Sequence, residues 1–234
     1  RDFPCCAEWQ AELTRLFKHY TERKLNQAGL DYDDLLLYWY LMAEEEELAS
    51  AIRQRFDHVL VDEYQDTNIL QDGILRRIFP DGRGVTVVGD DAQSIYGFRS
   101  AEIDNILSFP QQFSPAARVV KLEQNYRSHQ PILDASNALL ADSRCGYRKS
   151  LLSDTKAGAK PRLVTVEDNA GQSAYIVERL LQGREAGVAL KQQAVLFRSN
   201  HHSDHLEVAL TRHDIPFVKY GGLKFLDAAH VKDA

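Results

Sequence analysis

The period of the apolar positions changes several times along this chain, and each change marks an element. Between residues 4 and 28, Trp9, Leu13, Leu16, Phe17 and Tyr20 recur at helical spacing, which predicts one amphipathic helix closed by Gly29. Asp31 or Asp33 is placed to cap a second helix that contains residues 35–42 and runs into the acidic stretch 44–47. Short β-branched runs then alternate with helical patterns. Strands are predicted over 58–62, 85–89, 118–122, 161–167, 193–198 and 215–219. Helices are predicted over 69–79, 102–109, 131–141, 172–185 and 202–213, with a further helical pattern at 229–234. This alternation means βαβ units and a mainly parallel sheet, an α/β fold.

The strand ends carry the chemistry. The run from His58 closes on Asp62 and Glu63 and continues Tyr-Gln-Asp-Thr. Open α/β sheets bind ligands beyond the carboxyl ends of their strands. Asp62 is therefore placed to hold Mg²⁺, and Glu63 to polarise a water attacking a nucleoside triphosphate. The plainer alternative is a solvated strand end. The run from Val85 ends in Gly89 and Asp90 and leads into Asp91-Ala-Gln-Ser-Ile-Tyr-Gly-Phe-Arg99. Gln93 is suited to orient a hydrolytic water or sense a γ-phosphate. Tyr96 and Phe98 read either as a platform for stacked bases or as anchors of a loop, with Arg99 adding a phosphate or cation–π contact. After the third predicted strand, Tyr126 can stack on a base while Arg127 reaches the triphosphate.

Bulk composition narrows the classes. With 234 residues, 26% charged and 44% apolar, the chain suits one or two globular domains. A net charge of -6 argues against a simple basic DNA-coating module, although a narrow basic groove fits on an acidic body. The basic cluster Arg144, Arg148, Lys149, Lys156, Lys160 and Arg162 reads as a solvated loop or as a phosphate contact. Cys5, Cys6 and Cys145 match neither a disulfide framework nor a zinc site, which points to reduced thiols and a cytoplasmic protein. No run approaches the roughly 18 apolar residues of a membrane helix, so no membrane partner is expected. His201, His202 and His205 have a metal-friendly spacing but no complete donor set, and read as a solvated helix start. Seams are expected near 114–118 or within the turn-rich stretch 153–161.

Taken together, Val-Asp-Glu-Tyr-Gln-Asp-Thr-Asn, Gln-Ser-Ile-Tyr-Gly-Phe-Arg and Glu-Gln-Asn-Tyr-Arg-Ser resemble motifs II, III and IV of the UvrD/Rep group of superfamily 1 DNA helicases. Leu30-Asp-Tyr-Asp-Asp-Leu35, Leu196-Phe-Arg198-Ser-Asn200 and Tyr220-Gly-Gly-Leu-Lys-Phe225 are similar to further landmarks of that family. The resemblance implies two RecA-like lobes, incomplete here, with mainly parallel sheets and a helical subdomain piece. The implied division is residues 1–48 for the helical piece, 49–116 for the first motor domain and 117–234 for the second. It also implies ATP and Mg²⁺ as cofactors, single-stranded and duplex DNA and the rest of a helicase chain as partners, and 3′-to-5′ translocation. Asp62 becomes the metal-holding acid and Glu63 the base, while Gln93 couples the γ-phosphate to DNA. Tyr96, Phe98 and Arg99 line the single-strand track, Tyr126 stacks on adenine, Arg127 touches the γ-phosphate, and Arg198 and Asn200 contact the DNA backbone. Two departures stand out: Phe98 where many members carry tryptophan, and Asp91-Ala92 where members often show Ser-Asp.

A phosphate-cradling Gly-x-x-x-x-Gly-Lys-Ser/Thr loop needs a Gly-Lys pair, and this sequence contains none. The family's last motifs are missing too. The expectation is an internal fragment of a helicase that has no ATPase activity alone. The rivals are a non-hydrolysing nucleic-acid-binding or assembly module and the motor part of a helicase–nuclease.

Overall fold

The computed structural model describes residues 4–143 and 146–221. Arg144, Cys145, the end of the Tyr220–Phe225 motif and the helix expected at 229–234 lie outside the described residues. Contacts divide the chain into two compact units, Arg1–Pro161 and Arg162–Ala234, a division at the end of the turn-rich stretch 153–161.

In the first unit a 3₁₀ turn, Pro4–Trp9, leads into α1, Gln10–Asn26. Ala28 takes a positive φ of 50° and the Gly29 N–H returns to the Lys24 carbonyl, ending the helix where Gly29 predicts it. Helix α2, Tyr32–Met42, starts in a capping box in which Asp31 and Asp34 each accept the other's backbone N–H. The Lys24 ammonium joins the two helices by bonding both carboxylates at 2.6 Å.

The acidic stretch does not extend α2. The chain turns at Ala43 and starts again as α3, Glu46–Arg53. This break removes like charges from one helical face and leaves Glu46 and Glu47 in a first turn, where the helix dipole favours acids. It also lets Ala43 pack with Ile74, Ile78 and Phe79, beside Leu36, Tyr40, Ile52, Val59 and Val85. Those buried residues come largely from α4, Ile69–Ile78, which opens in a capping box between Asn68 and Gln71.

Strands β1, Val59–Val61, and β2, Val85–Val87, pair in parallel, with Val59 opposite Val85 and Val61 opposite Val87. Helix α4 is the crossover between them, the βαβ unit that the alternation predicts. Beyond β2 come a short helix α5, Asp104–Ser108, and α6, Gln130–Ala141. Tyr64, Ile106 and Phe109 make a second core against Val61 and Val87, below the carboxyl ends of the strands.

The second unit is built on α7, Asn169–Glu185, capped by Asp168, and α8, Asp204–Arg212, which follows the 3₁₀ turn Asn200–Ser203. Val177, Leu206, Leu210 and Ile215 form its core. Glu207 and Lys219 pair at 2.6 Å with both side chains 4% exposed, tying the stretch after Ile215 to α8.

The predicted strands at 118–122, 161–167, 193–198 and 215–219 are not strands among the described residues. Among the described residues the sheet has two strands, β1 and β2, and an isolated parallel bridge between Gln124 and Leu152 lies outside it. A β-branched run favours a strand-like backbone but cannot supply the neighbour that completes a ladder. Leu122, Leu163 and Leu196 accordingly stand 83%, 98% and 95% exposed. The chain is thus helix-rich with a small parallel sheet. No helix among the described residues is long and apolar enough to cross a membrane.

Candidate functional site

The site is built where β1 and β2 end side by side. After Val61 the chain cannot continue straight, because Glu63 takes a left-handed conformation, φ 51° and ψ 42°. For a residue with a side chain this costs about 1 kcal/mol or more, so neighbouring contacts must hold it. The Tyr64 N–H donates to the Val88 carbonyl at 2.9 Å, and the Glu63 N–H donates to Asp62 Oδ1 at 2.9 Å. The Tyr64 ring is 1% exposed, meets Phe109 edge-on with centroids 5.3 Å apart, and donates its hydroxyl to Asp72 at 2.6 Å. Arg76 completes the pairing of buried Asp72 at 2.5 Å. Burial, then the Asp72 carboxylate, push the Tyr64 phenol well above the ordinary tyrosine range, so it stays a donor.

Gln65, fully buried, joins the two strand ends. Its amide N–H₂ donates to Glu63 Oε2 at 2.7 Å, and its amide oxygen accepts the Asp90 N–H at 3.0 Å. A Cβ on Gly89 would lie 2.5 Å from that oxygen, so β2 must leave the sheet on a glycine. Asp90 in turn accepts the Gln93 side-chain amide at 2.7 Å through Oδ2 and the Ala92 N–H at 3.0 Å through Oδ1. Burial pushes the Asp90 carboxyl up, but Lys149 and Gln93 more than offset this and hold it below its usual range. Glu63, Gln65, Asp90 and Gln93 therefore form one hydrogen-bonded row across both strands.

Asp62 is exposed, with Oδ1 on the Glu63 N–H and no hydrogen bond to Oδ2 among the described residues. An exposed carboxylate with an oxygen to spare suits Mg²⁺, which takes one or two carboxylates and completes its shell with water and substrate phosphates. The donor set fits the ion. Among the described residues no group of three or more His, Cys, Asp or Glu is gathered to hold a metal by itself.

Beside this row, Tyr96 precedes the 3₁₀ turn Gly97–Arg99 and Phe98 lies within it. They are 37% and 78% exposed, with centroids 6.0 Å apart, and the Arg99 guanidinium lies 5.3 and 5.4 Å from the two rings. Phe98 is not a core anchor. Glu102 N–H and the Asn105 amide both bond the Thr67 carbonyl, so this loop is tied to the tail of the β1 motif.

Tyr126 and Arg127 sit on a turn whose shape is set by Asn125, which accepts the Arg127 and Ser128 N–H groups at 2.9 and 2.8 Å. Both side chains are exposed, Tyr126 by 88%. Arg198 and Asn200 are exposed in the second unit, where the Asn200 carbonyl accepts the Ser203 hydroxyl at the start of the turn before α8.

Two positions escaped the sequence reading. Gln65 lay inside the recognised run, and its position two residues after Glu63 was the only hint. Lys149 belongs to the basic cluster that reads from sequence as a solvated loop or a phosphate contact. It instead pairs with Asp90 and, at 3.1 Å, with Asp91, its side chain 15% exposed. Asp91, the unexplained departure, thereby has a structural partner.

Residues 7–114 match the model of the UvrD/REP helicase N-terminal domain, and residues 120–234 match that of the UvrD-like helicase C-terminal domain. The chain is 38% identical to DNA helicase II of Salmonella typhimurium over 228 residues, covering 97% of this chain and 31% of that protein. It is 37% identical to DNA helicase II of Escherichia coli over the same shares, and 33% identical to the ATP-dependent DNA helicase PcrA of Staphylococcus epidermidis over 94% of this chain and 30% of that protein. The chain thus spans about a third of the length of these relatives. Two consecutive matches to one family, over nearly all of its residues, place this chain in the UvrD/Rep helicase family.

Proposed function

We propose that the strand-end row is the hydrolytic part of an ATP-driven motor that moves along single-stranded DNA, 3′ to 5′, and unwinds duplex ahead of it. The observation that carries this is the continuous row from Glu63 through Gln65 and Asp90 to Gln93, with the exposed Tyr96–Phe98 pair tied beside it. A binding-only module has no physical need for a buried amide that fixes one carboxylate oxygen of Glu63.

In this reading Glu63 takes a proton from the attacking water. Gln65 is a positioning residue: it holds Oε2 and leaves Oε1 for the water. Gln93, oriented by Asp90, senses the γ-phosphate and passes its presence to the adjoining aromatic loop. Bases stack on Tyr96 and Phe98, and Arg99 meets a phosphate. Tyr126 stacks on adenine, and Arg127 neutralises charge on the transferring phosphoryl group. Asp62 would hold Mg²⁺, which when bound neutralises phosphate charge. Arg198 and Asn200 contact the DNA backbone from the second motor domain, with a lobe boundary near residue 116.

The experiment is DNA-stimulated ATP turnover and strand displacement by the full-length helicase carrying this chain. Both activities are expected, and their absence would return the chain to the non-hydrolysing reading. The 234-residue chain alone should bind ATP weakly and turn it over at background, since it contains no phosphate-cradling Gly-Lys loop. Robust stimulated turnover by the chain alone, lost in Glu63→Gln, would contradict that.

A further inference from the structure

We propose that residues 146–152 form a strap that couples Gln93 to the Tyr126–Arg127 turn, with Lys149 as a positioning residue acting through Asp90. The inference rests on the hydrolytic reading of the same site and adds to it a mechanical link between its two halves.

One end of the strap is fastened beside Gln93. The Lys149 ammonium bonds Asp90 Oδ1, and the other oxygen of that carboxylate receives the Gln93 amide. Lys149 also reaches Asp91 Oδ1 at 3.1 Å, while Asp91 Oδ2 accepts the Tyr147 N–H at 3.0 Å. Gly146 has φ 108°, and a Cβ there would collide with Asp91 Oδ2, so the backbone passes hard against the acid. The Tyr147 hydroxyl adds a bond to the Ile106 carbonyl at 3.3 Å.

The other end is fastened beside Arg127. The Leu152 N–H donates to the Glu123 carbonyl at 2.9 Å, and the Asn125 N–H donates to the Leu152 carbonyl at 2.7 Å. Asn125 is the residue whose side chain shapes the Tyr126–Arg127 turn. The Ser150 N–H bonds the Glu123 carboxylate at 2.7 Å, and Asn137 on α6 exchanges two hydrogen bonds with Leu151. Between Lys149 and Leu152 the backbone spans at most about 10 Å, and the Ser150, Leu151 and Leu152 N–H groups are all hydrogen-bonded. A shift of the Arg127 turn therefore pulls on the Lys149–Asp90 contact, and through it on the Gln93 amide.

The test is a double-mutant cycle on DNA-stimulated ATP turnover in the full-length helicase, using Lys149→Met and Gln93→Ala. Lys149→Met should lower kcat about ten- to a hundredfold through misplaced Gln93, with KM for ATP changed less than about threefold. Adding it to Gln93→Ala should cost nothing further, and Lys149→Arg should restore most of the loss. A wild-type kcat in Lys149→Met, or the same loss with and without Gln93, overturns the proposal. If Lys149→Met melts below the assay temperature, Lys149→Gln, which keeps a polar side chain but removes the ammonium that pairs with Asp90, enters the same cycle with the same criteria. Glu63→Gln serves as the separate arm. Wild-type turnover there overturns the hydrolytic reading, whereas additive losses with an inactive Glu63→Gln overturn only the strap.

Discussion

The two halves of the proposed site are held in opposite ways. At the strand ends, Glu63, Gln65, Asp90 and Gln93 bond to one another over a buried tyrosine, and one of them keeps a left-handed backbone. On the turn after Asn125, only the backbone is fixed, and Tyr126 and Arg127 project into solvent. The difference matches what the proposed function asks of each half. A base must already be aimed when the substrate arrives, whereas groups that clasp a nucleotide need free surface to offer it. It also divides the expected effects of mutation, since the first half couples activity to stability and the second does not.

The sharpest test of that division is Arg127→Ala. It should reduce DNA-stimulated ATP turnover by about 10³-fold or more and leave the melting temperature of the full-length protein where it was. A clear drop in melting temperature would show that the exposed turn is structural after all.

Gln65→Ala should do the reverse in kind. Removing a buried amide that serves Glu63 and Asp90 costs about 1–3 kcal/mol of stability, read as a lowered urea midpoint, together with a fall in kcat. If stability fell and kcat held, the row would be scaffolding only.

Phe98→Ala addresses the aromatic pair, which is exposed like the turn but sits beside the row. Single-strand DNA affinity should weaken by about 1–3 kcal/mol with little sequence preference, and ATP affinity without DNA should not move. Unchanged DNA binding at low salt would take the ring out of the proposed single-strand track.

The smallest effect is expected at the cap of α4. Asn68→Ala should lower stability by about 1 kcal/mol by denaturant titration, without changing KM. A larger loss would mean that the crossover between β1 and β2 supports more of the site than its own helix.

Helices were the legible part of this fold because their period is local. Trp9 to Tyr20, the Asp31 cap and the Gly29 stop lie within one helical repeat or one turn of the elements they define. Strand pairing is not local. The runs at 58–62 and 85–89 found each other across α4, while 118–122, 161–167, 193–198 and 215–219 look the same in sequence and gain no ladder. The site divided along the same line. As candidates, Asp62, Glu63 and Gln93 follow from apolar runs that end in polar groups. Lys149 could not be found that way, because its partners lie 58 and 59 residues earlier and a lysine in a basic loop looks solvated. The break at Ala43 escaped notice because a run of glutamates has high helix propensity, and only their mutual repulsion and the burial of Ala43 oppose it.

The central claim is that Glu63, held by Gln65, is the base for ATP hydrolysis. Its most direct test is Glu63→Gln in the full-length helicase, with ATP affinity and DNA-stimulated turnover measured on the same preparation. The amide is nearly isosteric and cannot accept the proton, so binding should persist while turnover falls about 10²- to 10⁴-fold. Turnover within about threefold of wild type would contradict the account.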